Sequence, residues 1–434
     1  IEGARAFGSK VERAYTDPRS NIVIDDAKAY FSGQQARYDI IVSEPSNPWI
    51  SGVGTLFSKE FYEFIPRHLK PGGLFVQWVQ LYEIDEMLLA SIMNALTPAF
   101  SDYQAYISNT ADLIIIATPQ GRLPEIKPQR ILQGPVGEDM KKLGIASAGQ
   151  LQLRRIADAQ ILRAHGALFG TPANSYYRPL LSLKAPVTRY MNKIAFTLIN
   201  LTYQSNLSSA MLLNAQNIRQ SLPDDIETST IDHFSGETDT RQARIYADFL
   251  RTGSLPGQLA QLPQALTSAF LLKQAVQQVC MQPDSTTAQA LLASNLRQAA
   301  EQTLMALPPS RLQGVFIKPA WLPCKPTHVS EDFGQVLALT DALAQRDWAK
   351  ASELAERWLR NPQAQAVWKE QFDDVALLAV MLDFARNGKW TEMAEAEKRL
   401  GANVAGTQAS AQIRVLLLAM ANIESARVKS STPS

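Results

Sequence analysis

The feature that most constrains the fold is a short apolar run, Tyr38–Ser43 (YDIIVS), which a proline-rich loop follows at once. An unbroken run of this length and composition is typical of a strand buried in a parallel sheet. A helical pattern over Ser58–Leu69 comes next, with Ser58 as its N-cap. The stop Lys70–Gly73 and a second strand, Leu74–Val79, follow. This alternation predicts an α/β fold, with helices on both faces of a mostly parallel sheet.

Further elements are predicted on both sides of this unit. Helices are expected over Ala4–Tyr15 and Glu83–Leu96, and a short strand over Asn21–Ile24. Two more strands, Tyr103–Ile107 and Leu113–Ala117, are expected to form an antiparallel pair.

The sequence after about residue 151 is rich in Ala, Leu and Gln and indicates helices almost throughout. Segments that begin with Trp348 and Trp390 share a weak pattern. They fit either paired helices of the tetratricopeptide type or an ordinary helical bundle. The predicted organisation has four parts: a partial sheet domain (1–120), an extension (121–190), a helical region (191–330) and helix pairs (331–428).

Composition excludes several classes of protein. Lys and Arg number 42 against 41 Asp and Glu, so there is no excess positive charge for binding nucleic acid. Cys280 and Cys324 are too few for a cysteine-rich zinc site or a disulfide framework, and they weakly favour a reducing compartment. No run of 18 apolar residues that could span a membrane is present.

Acidic residues stand at three positions where strands of such a sheet should end. Glu2 follows the first apolar residue and precedes a helix, Asp25 and Asp26 follow the predicted strand Asn21–Ile24, and Glu44 follows Tyr38–Ser43. In an open sheet, ligands bind at the carboxyl ends of the strands, where acids can accept hydrogen bonds from ribose hydroxyls or an adenine amino group. Each acid taken alone is better explained as a helix cap, because acids favour helix N-termini. Three acids in register favour a nucleoside site.

The segment Ser43–Trp49 (SEPSNPW) is the most informative one in the chain. Its two prolines predict a rigid loop directly after a buried strand. Glu44 and Asn47 would then project toward the reacting group of a bound nucleoside, with Trp49 as a flat apolar wall. A rigid connector with a packing tryptophan is the alternative.

The stretch Tyr38–Gln77 resembles the spermidine synthase (polyamine aminopropyltransferase) family. It is most similar to the members in which such a domain follows a membrane-spanning half. The shared motifs are Glu-Pro-Ser-Asn-Pro-Trp, Leu-Lys-Pro-Gly-Gly and Gln-Trp. Asp17-Pro18-Arg19 and Asp25-Asp26-Ala27 agree upstream, and the segment 172–180 agrees downstream. The resemblance covers about residues 1–190.

This resemblance implies a Rossmann-like sheet of the S-adenosylmethionine-dependent methyltransferase type. It also implies S-adenosylmethionine or its decarboxylated form as donor, and no metal. The roles that it implies are ribose binding for Glu2, adenine binding for Asp26 and Ala27, donor-site contact for Gln77, catalysis for Glu44 and Asn47, and an acceptor pocket shaped by Trp49 and Tyr82.

The sequence departs from the family pattern at two places. Asn47 stands where the family has an aspartate that is thought to accept a proton, and an amide cannot do so at neutral pH. Glu44 would have to take over. The glycine-rich loop and the first strand are not in this sequence, so we expect the natural protein to extend upstream. Asn47-Pro48-Trp49 is also similar to the Asn-Pro-Pro-Tyr/Trp loop of amino-methyltransferases.

Aminopropyl transfer to a polyamine is therefore the first hypothesis on function. A methyltransferase and a non-catalytic scaffold protein are the alternatives. The expected partners are a small-molecule amine acceptor, a protein bound by the C-terminal helix pairs and further copies of the chain, but no nucleic acid. The resemblance implies a cytoplasmic domain that an upstream segment anchors to the membrane.

Overall fold

The computed structural model describes residues 2–108, 111–143, 145, 151, 154–199, 264–305, 324, 329–344 and 347–431. The described strands are β1 (Tyr38–Ser43), β2 (Leu69–Gln80), β3 (Asp102–Ile107), β4 (Asp112–Thr118) and β5 (Arg155–Asp158).

The helices of the first 199 residues are α1 (Glu2–Arg5), α2 (Glu12–Thr16), α3 (Ala27–Ser32), α4 (Lys59–Phe64), α5 (Glu86–Leu96), α6 (Pro128–Ile131), α7 (Gly134–Lys142), α8 (Ala159–Leu168), α9 (Leu180–Tyr190) and α10 (Phe196–Ile199). Short 3₁₀ helices span Gly8–Lys10, Val53–Phe57, Ile65–His68 and Thr97–Ala99. The later helices are α11 (Gln264–Met281), α12 (Thr286–Met305), α13 (Glu331–Ala344), α14 (Trp348–Leu359), α15 (Ala366–Arg386), α16 (Trp390–Leu400) and α17 (Gln408–Ser431).

The five described strands form one sheet in the order β1-β2-β4-β3-β5. Strands β1 and β2 are parallel, and Ser43 lies opposite Gln77 at their carboxyl ends. The other three pairings are antiparallel. The expectation of a mostly parallel sheet is therefore wrong for the described strands. The connection between β3 and β4 is too short for a crossover and can join only antiparallel neighbours.

The predicted strand Tyr38–Ser43 and the antiparallel pair are confirmed. The predicted strand Asn21–Ile24 is wrong, since these residues are exposed and non-helical and form no strand. The long helix expected over 4–15 is broken into α1, a 3₁₀ turn and α2. Strand β5 was not predicted, because four residues are too few to show an alternating pattern.

Helix α8 packs against β3 and β5, α4 contacts β2 through Phe61 and Tyr62, and α5 packs against both helices. Buried residues alternate with half-buried ones along β3 and β4, as the pleat of a strand requires. The aromatic rings of Phe75 and Phe100 stack at 5.3 Å between centroids, and Tyr62 lies edge-on to Phe75. Full burial of one such side chain contributes about 2–3 kcal/mol.

The described residues from 264 onward are mostly helical, as expected. Each helix from α13 to α17 packs against the next one along the chain. The paired positions Trp348 and Trp390 both begin helices, α14 and α16. Buried Trp368 of α15 donates a hydrogen bond from Nε1 to Oε1 of Gln289 on α12 (3.1 Å). The last helix, α17, packs on α8 of the sheet domain.

Cys280 and Cys324 form a disulfide, with their Cα atoms 5.6 Å apart. This bond removes the basis for the weak indication of a reducing compartment, because disulfides persist in oxidising environments. Much of the predicted helical region, including 200–263 and 306–323, lies outside the described residues. Within the part that is described, no helix has the length and apolar character needed to cross a membrane.

Candidate functional site

The loop Glu44–Trp49 leaves the carboxyl end of β1, beside the carboxyl end of the parallel strand β2. Glu44 is exposed, Asn47 and Trp49 are half-buried, and Pro48 is buried. The carbonyl of Asn47 accepts a hydrogen bond from the amide of Ile50 (3.0 Å), which closes a turn. The structure therefore brings Glu44, Asn47 and Trp49 together on one loop at the expected edge of the sheet.

Gln77 is completely buried beneath this loop. Its Nε2 donates to the carbonyl oxygens of Ser43 (3.2 Å) and Trp78 (2.8 Å), and its Oε1 accepts from the Tyr62 hydroxyl (3.3 Å). Burial raises the pKa of Tyr62, so its hydroxyl remains a donor. These bonds tie the end of β1 to β2 and to α4. Through its hydrogen bond to Ser43, Gln77 fixes the residue from which the loop Glu44–Trp49 begins.

Helix α3 has one ring contact near each of its ends. The ring of Phe31, near the end of α3, lies 6.0 Å from the ring of Tyr38, the first residue of β1. The ammonium group of Lys28, near the start of α3, lies 3.9 Å from the centroid of the Tyr176 ring. The end of α3 therefore lies beside the first residue of β1, and its start lies beside Tyr176.

Asp26 is the N-cap of α3, and its Oδ1 accepts a hydrogen bond from the amide of Ala29 (2.8 Å). One carboxylate oxygen is therefore committed to the helix, while Oδ2 faces solvent with Ala27 beside it. Glu2 is exposed in the first turn of α1. The nucleoside-binding roles of Glu2, Asp26 and Ala27 remain predictions.

A loop over residues 172–179 fastens the 3₁₀ helix Val53–Phe57. Asn174 is buried, and its Nδ2 donates to the carbonyls of Gly54 (2.9 Å) and Phe57 (3.1 Å). Its Oδ1 accepts from the amide of Leu181 (3.2 Å). A Cβ added at Gly54 would lie 2.6 Å from Ser182 Oγ and 3.3 Å from the Ser182 backbone nitrogen, so a larger residue there would force the Ser182 side chain to move.

Glu60 holds the other side of the 172–179 loop. Its carboxylate accepts hydrogen bonds from the Ser175 hydroxyl (2.6 Å) and the Tyr176 amide (3.0 Å). Burial acts to raise the pKa of Glu60, but these hydrogen bonds outweigh it and the pKa lies below its usual value.

A second loop at the carboxyl end of β2 contains Tyr82 and Glu83. Tyr82 is half-buried and pairs through its backbone with Ile194. Glu83 has a positive φ of 55°, which is uncommon for a residue other than glycine. The buried Thr188 hydroxyl donates to the Glu83 carbonyl (3.0 Å) and holds this conformation.

Arg189 of α9 joins the two loops. Its guanidinium carbon lies 4.9 Å from the centroid of the Trp49 ring, and its Nε lies 3.7 Å from Oε2 of Glu83. Sequence reasoning assigned neither Glu83 nor Arg189 to the site. Glu83 stands just past the end of a strand and could have been found from that position. Arg189 is 106 residues further along the chain, and no local pattern connects it to the loop.

Comparison with known proteins agrees with this geometry. Residues 1–114 match the sequence model of the Spermine/spermidine synthase domain. A polyamine aminopropyltransferase of Enterobacter sp. (strain 638) is 41% identical over 63 residues, which are 14% of this chain and 22% of that protein. A second one, from Aeropyrum pernix, is 32% identical over 96 residues (21% and 30%). Spermidine synthase 1 of Hyoscyamus niger is 34% identical over 94 residues (20% and 30%).

The chain spans between about a fifth and a third of the length of these curated relatives. The matched segment contains β1, β2, β3 and the loop Glu44–Trp49. Together with β4 and β5, these strands form a mixed sheet of the Rossmann-like, methyltransferase type found in spermidine synthases. Residues 1–114 of this chain are therefore a spermidine-synthase-like domain.

Proposed function

We propose that the loop Glu44–Trp49 is part of an aminopropyltransferase site, which transfers an aminopropyl group from decarboxylated S-adenosylmethionine to a polyamine. The observation that carries this proposal is the position of Glu44 and Asn47. Both lie directly after β1, at the carboxyl edge of the parallel pair, within the segment that matches spermidine synthases. Ligands of open α/β sheets bind at this edge.

The donor side of the proposed site consists of Asp26 with Ala27 on α3, together with Glu2. Carboxylates suit the ribose hydroxyls and the adenine amino group, and the free Oδ2 of Asp26 is available for one such bond. Gln77 acts from below by fixing Ser43, the residue before Glu44.

The reaction itself needs little from the protein. The lone pair of the acceptor amine attacks the propyl carbon bound to the positively charged sulfur. The carbon–sulfur bond breaks, and its electron pair stays on sulfur as a neutral thioether. Because the acceptor is an ammonium ion at neutral pH, it must lose one proton to the protein before its nitrogen can attack. Asn47 cannot accept that proton, so Glu44 is assigned as the general base and Asn47 as the group that orients the amine.

Methyl transfer and a scaffold role are the two alternative functions, and experiment can distinguish both from aminopropyl transfer. Methyl transfer would use the same fold with S-adenosylmethionine itself, and the short motif Asn47-Pro48-Trp49 is compatible with it. A scaffold protein would use neither donor.

The test is a mass-spectrometric assay of the full chain with putrescine and each donor in parallel. The proposal predicts spermidine and methylthioadenosine in equal amounts from the decarboxylated donor only. Methylated amine from S-adenosylmethionine would instead establish the methyltransferase. The absence of any product over a wide pH range would contradict both transfer functions and leave the scaffold.

A further inference from the structure

Arg189 sits where two cation-attracting groups converge. The face of the Trp49 ring attracts a cation, and the Glu83 carboxylate is a negative charge beside it. Both groups belong to loops that follow parallel strands, β1 and β2, so they border the proposed transfer site. A place that accommodates one cation at these distances can accommodate another.

The hold on Arg189 is weak. Its side chain is 55% exposed, and the separation of 3.7 Å from Glu83 is longer than a normal charge-assisted hydrogen bond. Exposed ion pairs of this kind contribute little to stability, since water competes for both partners. A diffusing cation can therefore displace Arg189 without disturbing the fold.

The backbone of Glu83 is held in place independently of its ion pair with Arg189. Its positive φ is a conformation that costs free energy for a residue with a side chain, and the buried Thr188 hydroxyl keeps it in place. Such conformations concentrate at binding and catalytic sites. The structure thus fixes the backbone of Glu83 while leaving its cationic partner loosely attached.

We infer that Trp49 and Glu83 form the subsite for the far ammonium group of a diamine acceptor, and that Arg189 occupies this subsite in the free protein as an intramolecular competitor. The inference rests on the proposed function for the identity of the acceptor. Arg189 then sets acceptor specificity, because a diamine must displace it while an amine with a single ammonium group has no second charge to place there.

The experiment compares putrescine with 1-aminobutane, which has the same carbon chain but lacks the far ammonium group. In Arg189→Gln, the ratio of kcat/KM for putrescine to that for 1-aminobutane should rise about three- to tenfold, the range expected for a partly exposed cation–π contact and ion pair. Glu83→Gln should lower the same ratio. Lys184→Gln removes a positive charge from an exposed position on the same helix and should leave the ratio at its wild-type value.

A binding measurement separates this inference from the proposed function. Putrescine alone is titrated into ¹⁵N-arginine-labelled protein, with the Arg189 Nε signal assigned by its loss in Arg189→Gln. A shift of that signal, together with tighter putrescine binding by Arg189→Gln, supports the subsite even if no variant shows transfer. An unchanged Arg189 signal, or a specificity ratio that Arg189→Gln does not raise, overturns the inference, whereas continued transfer by the wild type would leave the proposed function intact.

Discussion

At the scale of single residues, the carboxylate of Glu60 connects several segments that surround the candidate site. It binds both Ser175 and Tyr176, and Tyr176 in turn stacks on Lys28 of α3. A single side chain thus links α4, the 172–179 loop and the helix that begins after Asp26.

Glu60 gives a prediction on pH. Its pKa in the folded protein lies below the ordinary 4.5, so the ionised form stabilises the fold. That stabilisation is fully present above the unfolded pKa and is lost as the pH falls through the lower folded value. Melting temperatures of the wild type should exceed those of Glu60→Gln at neutral pH, and the difference should shrink as the pH falls below 4.5 and through the lower pKa of folded Glu60.

The matched control is Glu63→Gln, because Glu63 lies on the same helix in an exposed ion pair with Lys59. This variant should melt close to the wild type throughout. A Glu60→Gln difference that stayed constant from neutral to acid pH would show that the carboxylate charge is not what holds the loop.

At the scale of elements, prediction from the sequence succeeded where a local pattern decides the structure. The run Tyr38–Ser43 is both β-prone and paired, so the strand appears with the predicted bounds. Ser58 caps α4 as expected, accepting from the amide of Phe61 (3.3 Å). Asn21–Ile24 has a similar apolar composition, but a strand also requires a hydrogen-bonded neighbour, and composition does not supply one.

Contacts between distant segments could not be predicted either, because the local sequence does not show which segments meet in the folded protein. The candidate loop at Glu44 was predicted because its residues are consecutive. The partners that Arg189 and Thr188 supply come from α9, and nothing in the local sequence there indicates a contact with Trp49 or Glu83. Such contacts arise only when the whole chain has folded.

The disulfide between Cys280 and Cys324 gives a prediction at this scale. It closes a loop with a sequence separation of 44 residues. Restricting the unfolded chain in this way contributes up to about 4 kcal/mol in the chain-entropy model. Reductant should therefore lower the denaturant midpoint of the wild type and leave that of a Cys280→Ser, Cys324→Ser double variant unchanged.

Thiol titration of the unfolded, unreduced protein checks the same bond directly. No reactive thiol is expected, and two thiols per chain would show that the bond is not formed.

At the scale of the whole molecule, the sheet domain and the helical half are joined by more than the chain itself. Helix α17 packs on α8 and buries Leu416, Leu417 and Met420 completely. Helix α8 also contributes buried His165, whose Nε2 lies 3.0 Å from Oε2 of Glu86 at the start of α5. The family match ends at residue 114, yet the elements that cover the site, including α9, lie beyond it.

The central claim is that the loop after β1 carries the transfer chemistry, with Glu44 as the base. The most direct test is the rate of spermidine formation by Glu44→Gln, measured beside Asp39→Asn, which removes an exposed carboxylate from the opposite end of the same strand. We predict that Glu44→Gln lowers kcat by about 10²- to 10⁴-fold, that Asp39→Asn does not, and that adding Asn47→Asp to Glu44→Gln restores part of the rate. A Glu44→Gln variant with the kcat of the wild type would contradict the account.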